Sequence, residues 1–100
     1  MSMETTEGKL WFNGEMIEQP DAKVHVLTHS LHYGMAVFEG VRAYQTDEGR
    51  TAIFRLDDHT ERLLGSAKIF QLDVPYDKAT LDQAQKDVVK QNGFDSAYLR

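Results

Sequence analysis

Cysteine is absent from the sequence, and proline occurs only twice. Without cysteine, neither a disulfide framework nor a thiolate metal site is possible, which suits a reducing cytoplasm. No apolar run approaches the roughly 18 residues of a membrane helix. The polar segment Met1–Gly8 lacks the basic and apolar regions of a signal peptide. Dense basic runs are also missing and the net charge is −5, so we expect neither nucleic acid nor membrane as a partner.

What the chain does contain predicts one small globular domain. Apolar residues make up 41% and charged residues 27% of the 100 positions, which is typical of a soluble folded protein. This length leaves no room for a second core. We therefore expect a flexible tail over residues 1–8 and a domain over residues 9–100. Because a strand is predicted to begin at Ser96, we expect the domain to continue past Arg100; a short edge strand is the alternative.

Turn residues predict the strands. Asn13-Gly14 favours a hairpin within Lys9–Glu18, since this dipeptide accepts the positive φ angles of a tight turn. Asp47-Glu48-Gly49 predicts a second hairpin. Its strands are Met35–Gln45 and Thr51–Arg55. A further short strand is predicted over Lys23–Leu27 and an irregular turn over His29–Gly34.

Capping residues predict two helices. Asp58 with Glu61 predicts a helix start, and this helix should run to about Phe70. Asp77 predicts the start of a second helix, which Asn92-Gly93 should end. Hairpins followed by helices predict an α+β fold, with a mainly antiparallel sheet and two helices on one side.

The strand around Phe38 has an unusual mixture of side chains on one face. A period of two places Phe38, Gly40, Arg42 and Tyr44 together. A glycine there would let a ligand or another backbone approach closely. Tyr98 and Arg100 share a face of the last strand, so the two strands could form an anion-attracting pocket with apolar walls. The alternative, slightly favoured by periodicity alone, is that both arginines are solvated and Phe38 belongs to the core.

Arg62 and the histidines are the other candidates for chemistry. The simpler interpretation of Arg62 is a surface ion pair with Asp58, one helical turn earlier. A phosphate clamp is the alternative, since the planar guanidinium suits phosphate oxygens. His25, His29 and His32 lack a further ligand at a useful spacing. We therefore favour hydrogen bonds that fix a tight turn over a metal site.

A set of short motifs occurs in one order from about Leu10 to the end of the chain. The motifs are Trp11–Gly14, Asp21–Val26, His29–Gly34, Val37–Tyr44, Phe54–Leu56 with His59, Arg62-Leu63, Ser66–Lys68 and Ala97–Arg100. Each motif is weak alone, but the ordered set resembles the bacterial branched-chain aminotransferases, pyridoxal 5′-phosphate enzymes of fold type IV. The resemblance implies that the chain is their N-terminal small domain. It also implies transfer of the amino group of L-leucine, L-isoleucine or L-valine to 2-oxoglutarate.

The resemblance assigns roles to individual residues. Arg62 matches the arginine that holds the cofactor phosphate, which reverses the simpler interpretation given above. The positions that match the substrate pocket are Phe38, Gly40, Tyr98 and Arg100. Arg100 would take the side-chain carboxylate of glutamate, and Arg42 would orient the pocket. Tyr33 matches a tyrosine that reaches the neighbouring subunit's site, which implies a homodimer or homohexamer.

The reactive groups of the family are expected elsewhere. Transamination needs a Schiff-base lysine and a carboxylate at the pyridinium nitrogen. In this family both lie well beyond Arg100, and none of the present lysines matches, so the 100 residues alone are predicted to be inactive. Two alternatives remain open. One is a D-amino-acid aminotransferase or aminodeoxychorismate lyase of the same fold, and the other is a non-catalytic dimerisation module.

Overall fold

The computed structural model describes residues 7–100, so most of the predicted tail lies outside the described residues. Its strands are β1 (Lys9–Phe12), β2 (Glu15–Glu18), β3 (Val41–Gln45), β4 (Thr51–Ile53) and β5 (Ala97–Leu99). Its α-helices are α1 (His29–Tyr33), α2 (Leu56–Ile69) and α3 (Lys78–Asn92), and a 3-10 turn covers Gln19–Asp21. Among residues 7–100, no helix combines the length and apolar character needed to cross a bilayer.

The first hairpin confirms the prediction made from Asn13-Gly14. Strands β1 and β2 pair antiparallel, with Trp11 opposite Met16. Asn13 and Gly14 have φ angles of 52° and 89°, so both turn residues occupy the positive-φ region that tight hairpins require. The hairpin is attached to the end of α3 by Asn92. The amide of Asn92 donates to the Lys9 carbonyl at 2.9 Å and accepts from the Lys9 N–H at 2.8 Å.

A separate antiparallel sheet has the strand order β4-β3-β5. The second predicted hairpin forms its β3–β4 half, with Tyr44 opposite Ala52. Strand β5 pairs with the other edge of β3, where Arg42 lies opposite Tyr98. The predicted α+β class with antiparallel pairing is confirmed, but the strands form two sheets rather than one. Inward-facing Val41 and Ala43 are buried, as the period-two pattern indicates.

The second long helix begins and ends as predicted, whereas the first begins earlier. The Asp77 carboxylate accepts from the Thr80 N–H at 2.8 Å, and Gly93 closes α3 with a φ of 69°. Helix α2 begins at Leu56, before Asp58, and its N-cap is Arg55 with a φ of 53°. The predicted Asp58–Glu61 capping box is therefore wrong. The Asp58 carboxylate instead accepts from Arg55 Nη2 at 2.7 Å.

The segment between the two sheets differs most from the sequence prediction. No strand forms over residues 23–27, and the predicted 35–45 strand begins only at Val41. The expected turn at residues 29–34 is the short helix α1, closed by Gly34 with a φ of 65°. Around Val24 and Val26 the described backbone bonds are local, such as Thr28 N–H to the His25 carbonyl. Without a partner strand, alternating sequence alone does not make a sheet.

The core is small, and many large apolar side chains remain at the surface. The buried apolar residues are Val41, Ala43, Ala67, Ala84 and Val89. Helices α2 and α3 also meet through polar contacts, since Gln85 donates to the buried Thr60 hydroxyl at 3.0 Å. By contrast, an apolar segment of residues 24–38 is exposed. Its exposed members are Val24, Val26, Leu27, Leu31, Tyr33, Met35 and Phe38.

Candidate functional site

The structure brings together Phe38, Arg42, Tyr98 and Arg100 on the exposed face of the three-stranded sheet. Arg42 and Tyr98 are cross-strand partners, and the Arg42 Cζ lies 5.2 Å from the centroid of the Tyr98 ring. The Arg100 Cζ lies 4.1 Å from the centroid of the Phe38 ring. Phe38 is 66% exposed, so its alternative placement in the core is wrong. Each arginine thus lies over an aromatic ring, and this cation–π contact stabilises the guanidinium and holds it beside the ring.

Gly40 makes room for one of these rings. A Cβ atom added at Gly40 would collide with the Tyr98 hydroxyl and lie 3.0 Å from the Tyr98 Cζ. The sequence predicted that a ligand or backbone would approach this glycine. In the structure the approaching group is the Tyr98 side chain, so Gly40 determines where that ring can lie.

Glu39 points away from this face and binds α2. Its Oε2 accepts from Arg62 Nε at 2.7 Å, and its Oε1 accepts from Arg62 Nη2 at 2.7 Å and from His59 Nδ1 at 2.8 Å. The Glu39 side chain is only 10% exposed. In the described residues Arg62 pairs with Glu39 and Asp58 pairs with Arg55, so the simpler interpretation of Arg62, a surface pair with Asp58, is wrong.

These contacts fix the charges of Glu39 and Arg62. Hydrogen bonds from Arg62 and then His59 lower the pKa of Glu39 from 4.5 to about 2. The Glu39 carboxylate in turn raises the pKa of Arg62. Glu39 is therefore a carboxylate, and Arg62 a cation, throughout the range in which proteins function. Sequence reasoning missed Glu39. Its position gave a usable indication, because Glu39 lies on the same side of the chain as the buried Val41, two residues later, and a charge that approaches the core needs a partner.

Arg62 still has capacity for an anion. A guanidinium has five N–H groups, and Glu39 takes one from Nε and one from Nη2. Among residues 7–100, Glu39 is the hydrogen-bond acceptor recorded for Arg62, whose side chain is 68% exposed. The second edge of the fork has the geometry that suits two phosphate oxygens. The chemistry of this donor set therefore fits a phosphate group.

Tyr33 and the histidines belong to a different region. Tyr33 is 74% exposed at the end of α1, and its ring contacts those of His29 and His32. His32 Nε2 donates to the Val26 carbonyl at 2.7 Å, and His25 Nδ1 accepts from the Leu27 N–H. These bonds confirm the predicted turn-fixing role of His25 and His32. Within residues 7–100, no group of three or more histidine, aspartate or glutamate side chains is arranged to hold a metal.

A wide groove lies elsewhere on the molecule, and Arg42 and Arg100 do not line it. That groove has a volume of about 1020 Å³ and lies between β4, the start of α2 and the end of α3. Arg55, Lys86 and Phe94 are among its lining residues, and none of the predicted site residues is. Phe38 and Tyr98 are both exposed, so in these residues the candidate site is an open face of the sheet.

Comparison with known proteins gives one consistent family. Residues 36–100 match the model of amino-transferase class IV. The branched-chain-amino-acid aminotransferase of Pseudomonas aeruginosa is 51% identical over 100 residues, which cover all of this chain and 32% of that protein. The Escherichia coli K12 enzyme of the same name is 47% identical over 91 residues, or 91% of this chain and 29% of the relative.

A solved structure has the same fold. The branched-chain amino acid aminotransferase of T.th., complexed with N-(5′-phosphopyridoxyl)-L-glutamate, matches with a TM-score of 0.88 and 47% sequence identity. The match covers 92% of this chain and 30% of that one. The chain thus spans about a third of the length of the relatives that it matches. On the match of both sequence and fold, this chain belongs to the class IV aminotransferase family.

Proposed function

We propose that this chain is the N-terminal small domain of a branched-chain-amino-acid aminotransferase. The complete enzyme would transfer the amino group of L-leucine, L-isoleucine or L-valine to 2-oxoglutarate, with pyridoxal 5′-phosphate as cofactor. The observation that carries the proposal is the exposed face on which Arg42 and Arg100 rest on the Tyr98 and Phe38 rings. The names of the relatives at 45–51% identity support the same activity.

The face suits two chemically different substrates. Aromatic rings give an aliphatic side chain an apolar surface. A guanidinium stacked on a ring keeps its N–H edges available for a carboxylate. In this proposal Arg100 binds the side-chain carboxylate of glutamate, and Phe38 and Tyr98 contact the side chain of leucine. Arg42 orients the face, and Gly40 leaves the space that the Tyr98 ring occupies.

The cofactor would be held here through its phosphate. The second edge of the Arg62 guanidinium fits phosphate oxygens, as described above, and its first edge is fixed by Glu39. When bound, pyridoxal phosphate supplies the electron sink for amino-group transfer. The lysine that holds the cofactor covalently, and the carboxylate at its ring nitrogen, are assigned to residues outside these 100.

The assembly is proposed to be a homodimer or homohexamer in the cytoplasm. Tyr33 is exposed on a short helix next to other exposed apolar side chains, including Leu31. Exposed apolar patches of this kind mark interaction surfaces. Tyr33 would therefore contribute to the site of the neighbouring subunit.

Activity profiling of the complete protein tests the proposal. Purified protein would be assayed for amino transfer from L-leucine and from D-alanine to 2-oxoglutarate, and for lysis of aminodeoxychorismate. We expect turnover of L-leucine to dominate. Preference for D-alanine or aminodeoxychorismate would assign one of the other activities of this fold. A complete protein with no activity and no pyridoxal phosphate binding would favour the dimerisation module.

A further inference from the structure

Glu39 has no role in the substrate contacts proposed above, yet it joins the substrate face to α2. We propose that Glu39 is a positioning residue, which holds the Arg62 guanidinium in the orientation that binds the phosphate of pyridoxal phosphate. His59 supports the same carboxylate. This inference rests on the proposed function, because it concerns the cofactor of that function.

The hydrogen bonds define the orientation of Arg62. Two bonds of 2.7 Å run from its Nε and Nη2 to the two Glu39 oxygens. Such a paired contact fixes the plane of the guanidinium as well as its position. With Nε and one side of Nη2 occupied, the edge formed by Nη1 and Nη2 is the one left for an anion.

The burial of the two partners shows which one holds the other. The Glu39 side chain is 10% exposed, and its backbone lies two residues before the buried Val41. His59 Nδ1 donates to its Oε1 at 2.8 Å, which fixes the carboxylate a second time. Arg62 is 68% exposed, and an exposed arginine by itself samples many rotamers. Glu39 therefore restricts Arg62 before any phosphate arrives, which lowers the entropy lost on binding.

Orientation and charge have opposite effects on phosphate binding. The negative charge of Glu39 near the Arg62 fork would repel a phosphate, so a purely Coulombic effect predicts tighter binding when Glu39 is neutralised. A positioning role predicts weaker binding, because Arg62 would lose its fixed plane. The sign of the change in affinity thus distinguishes the two effects.

The test compares two ligands on the complete apoenzyme. Dissociation constants of pyridoxal phosphate and of pyridoxal, which lacks the phosphate, would be measured by titration for wild type, Glu39→Gln and Asp58→Asn. Asp58→Asn is the matched control, because Asp58 is a carboxylate on α2 that binds Arg55 rather than Arg62. We expect Glu39→Gln to raise the dissociation constant of pyridoxal phosphate about tenfold, as for loss of a charge-assisted hydrogen bond. The dissociation constant of pyridoxal should stay unchanged. Asp58→Asn should change neither.

Other outcomes overturn the inference. Unchanged or tighter pyridoxal phosphate binding by Glu39→Gln would exclude positioning, and equal weakening of both ligands would indicate a general structural role. If Glu39→Gln does not fold, His59→Gln replaces it. We expect His59→Gln to weaken the binding of pyridoxal phosphate, but not of pyridoxal, about threefold. Unchanged binding of pyridoxal phosphate by this variant would overturn the inference. In these cases wild type still binds the cofactor. Failure of wild type to bind it would instead overturn the proposed function, and the inference with it.

Discussion

The Tyr98 hydroxyl occupies the space in which a side chain on residue 40 would begin. Gly40→Ala should therefore push the Tyr98 ring off the face that it shares with Arg42. In the proposed enzyme, we expect kcat/KM for L-leucine to fall on the order of tenfold, because misplaced contacts reduce catalysis steeply. Steady-state kinetics of the complete protein would measure this.

Gly65 offers a matched control for Gly40. It lies inside α2, and an added Cβ atom would meet nothing within 4 Å. Gly65→Ala should leave the kinetics unchanged and raise the free energy of unfolding by about 0.5–1 kcal/mol, since alanine is the better helix former. Equal kinetics for Gly40→Ala and wild type would contradict the role assigned to Gly40.

Arg100 is expected to distinguish the two kinds of substrate. Arg100→Gln removes the cation that lies 4.1 Å above Phe38. Because that cation is proposed to bind the side-chain carboxylate of glutamate, KM for glutamate should rise about tenfold, as for loss of a charge-assisted hydrogen bond, with little change for leucine. Arg50→Gln is the control, since Arg50 binds Glu48 in the β3–β4 turn. Equal effects on both substrates would contradict the assignment.

Glu39 should also make stability depend on pH. Its pKa is lowered from 4.5 to about 2 in the folded protein, chiefly by Arg62 and then by His59. A lowered folded-state pKa means that the carboxylate stabilises the fold above about pH 4.5, and that this contribution is lost as the pH falls toward 2. The Tm difference between wild type and Glu39→Gln should therefore be largest near neutral pH and shrink in acid. A constant difference measured by calorimetry from pH 7 downward would argue against it.

At the scale of elements, α3 provides a test of capping. Asp77→Ala removes the acceptor for the Thr80 N–H, and we expect a loss of about 1 kcal/mol in the free energy of unfolding. Hydrogen bonding with the Thr80 side chain, and then with the Thr80 N–H, lowers the pKa of Asp77, so the loss should be smaller at acidic pH. Urea titration would measure it, with Asp73→Ala in the preceding loop as the control. An equal loss for both variants would contradict a specific cap.

Elements specified by local chemistry could be predicted from the sequence. Asn13-Gly14 sets a hairpin and Asp77 and Gly93 set both ends of α3, because turn and cap geometry depends on a few neighbouring residues. The absence of a strand over residues 23–27 was not predictable from the sequence, because a strand forms only where another strand pairs with it. Likewise, no local pattern indicated that Arg55 would take the position before α2.

In the candidate site, too, local features could be predicted from the sequence and long-range contacts could not. The shared face of Arg42 and Tyr44 follows from the period of two. A pocket formed by the strands of Arg42 and Tyr98 was one of two interpretations of the sequence, and the register that places these two residues opposite each other comes from the structure. The contact between Glu39 and Arg62 spans 23 positions, and the periodicity of neither element indicates it. A pattern within one element shows which face a side chain occupies, but not which distant group meets it.

At the scale of the whole molecule, the balance of buried and exposed apolar side chains predicts the behaviour of these 100 residues alone. Within residues 7–100, the buried apolar residues are all alanine or valine, while Leu27, Leu31 and Phe38 are exposed. We expect the isolated chain to associate, to bind an apolar dye and to show no transamination. Light scattering, dye fluorescence and the L-leucine assay would test this. A monomeric chain that does not bind the dye and unfolds cooperatively would contradict this prediction.

The consecutive residues Phe38, Glu39 and Gly40 have a consequence for protein engineering. Two of them shape the face proposed for substrates, and the one between them holds Arg62. Directed evolution that randomises positions 38 and 40 to change substrate preference would also change both chain neighbours of Glu39. If the proposed function is correct, selection for a new substrate would therefore also affect retention of the cofactor, and libraries that vary residues 59 and 62 together with 38 and 40 would address both.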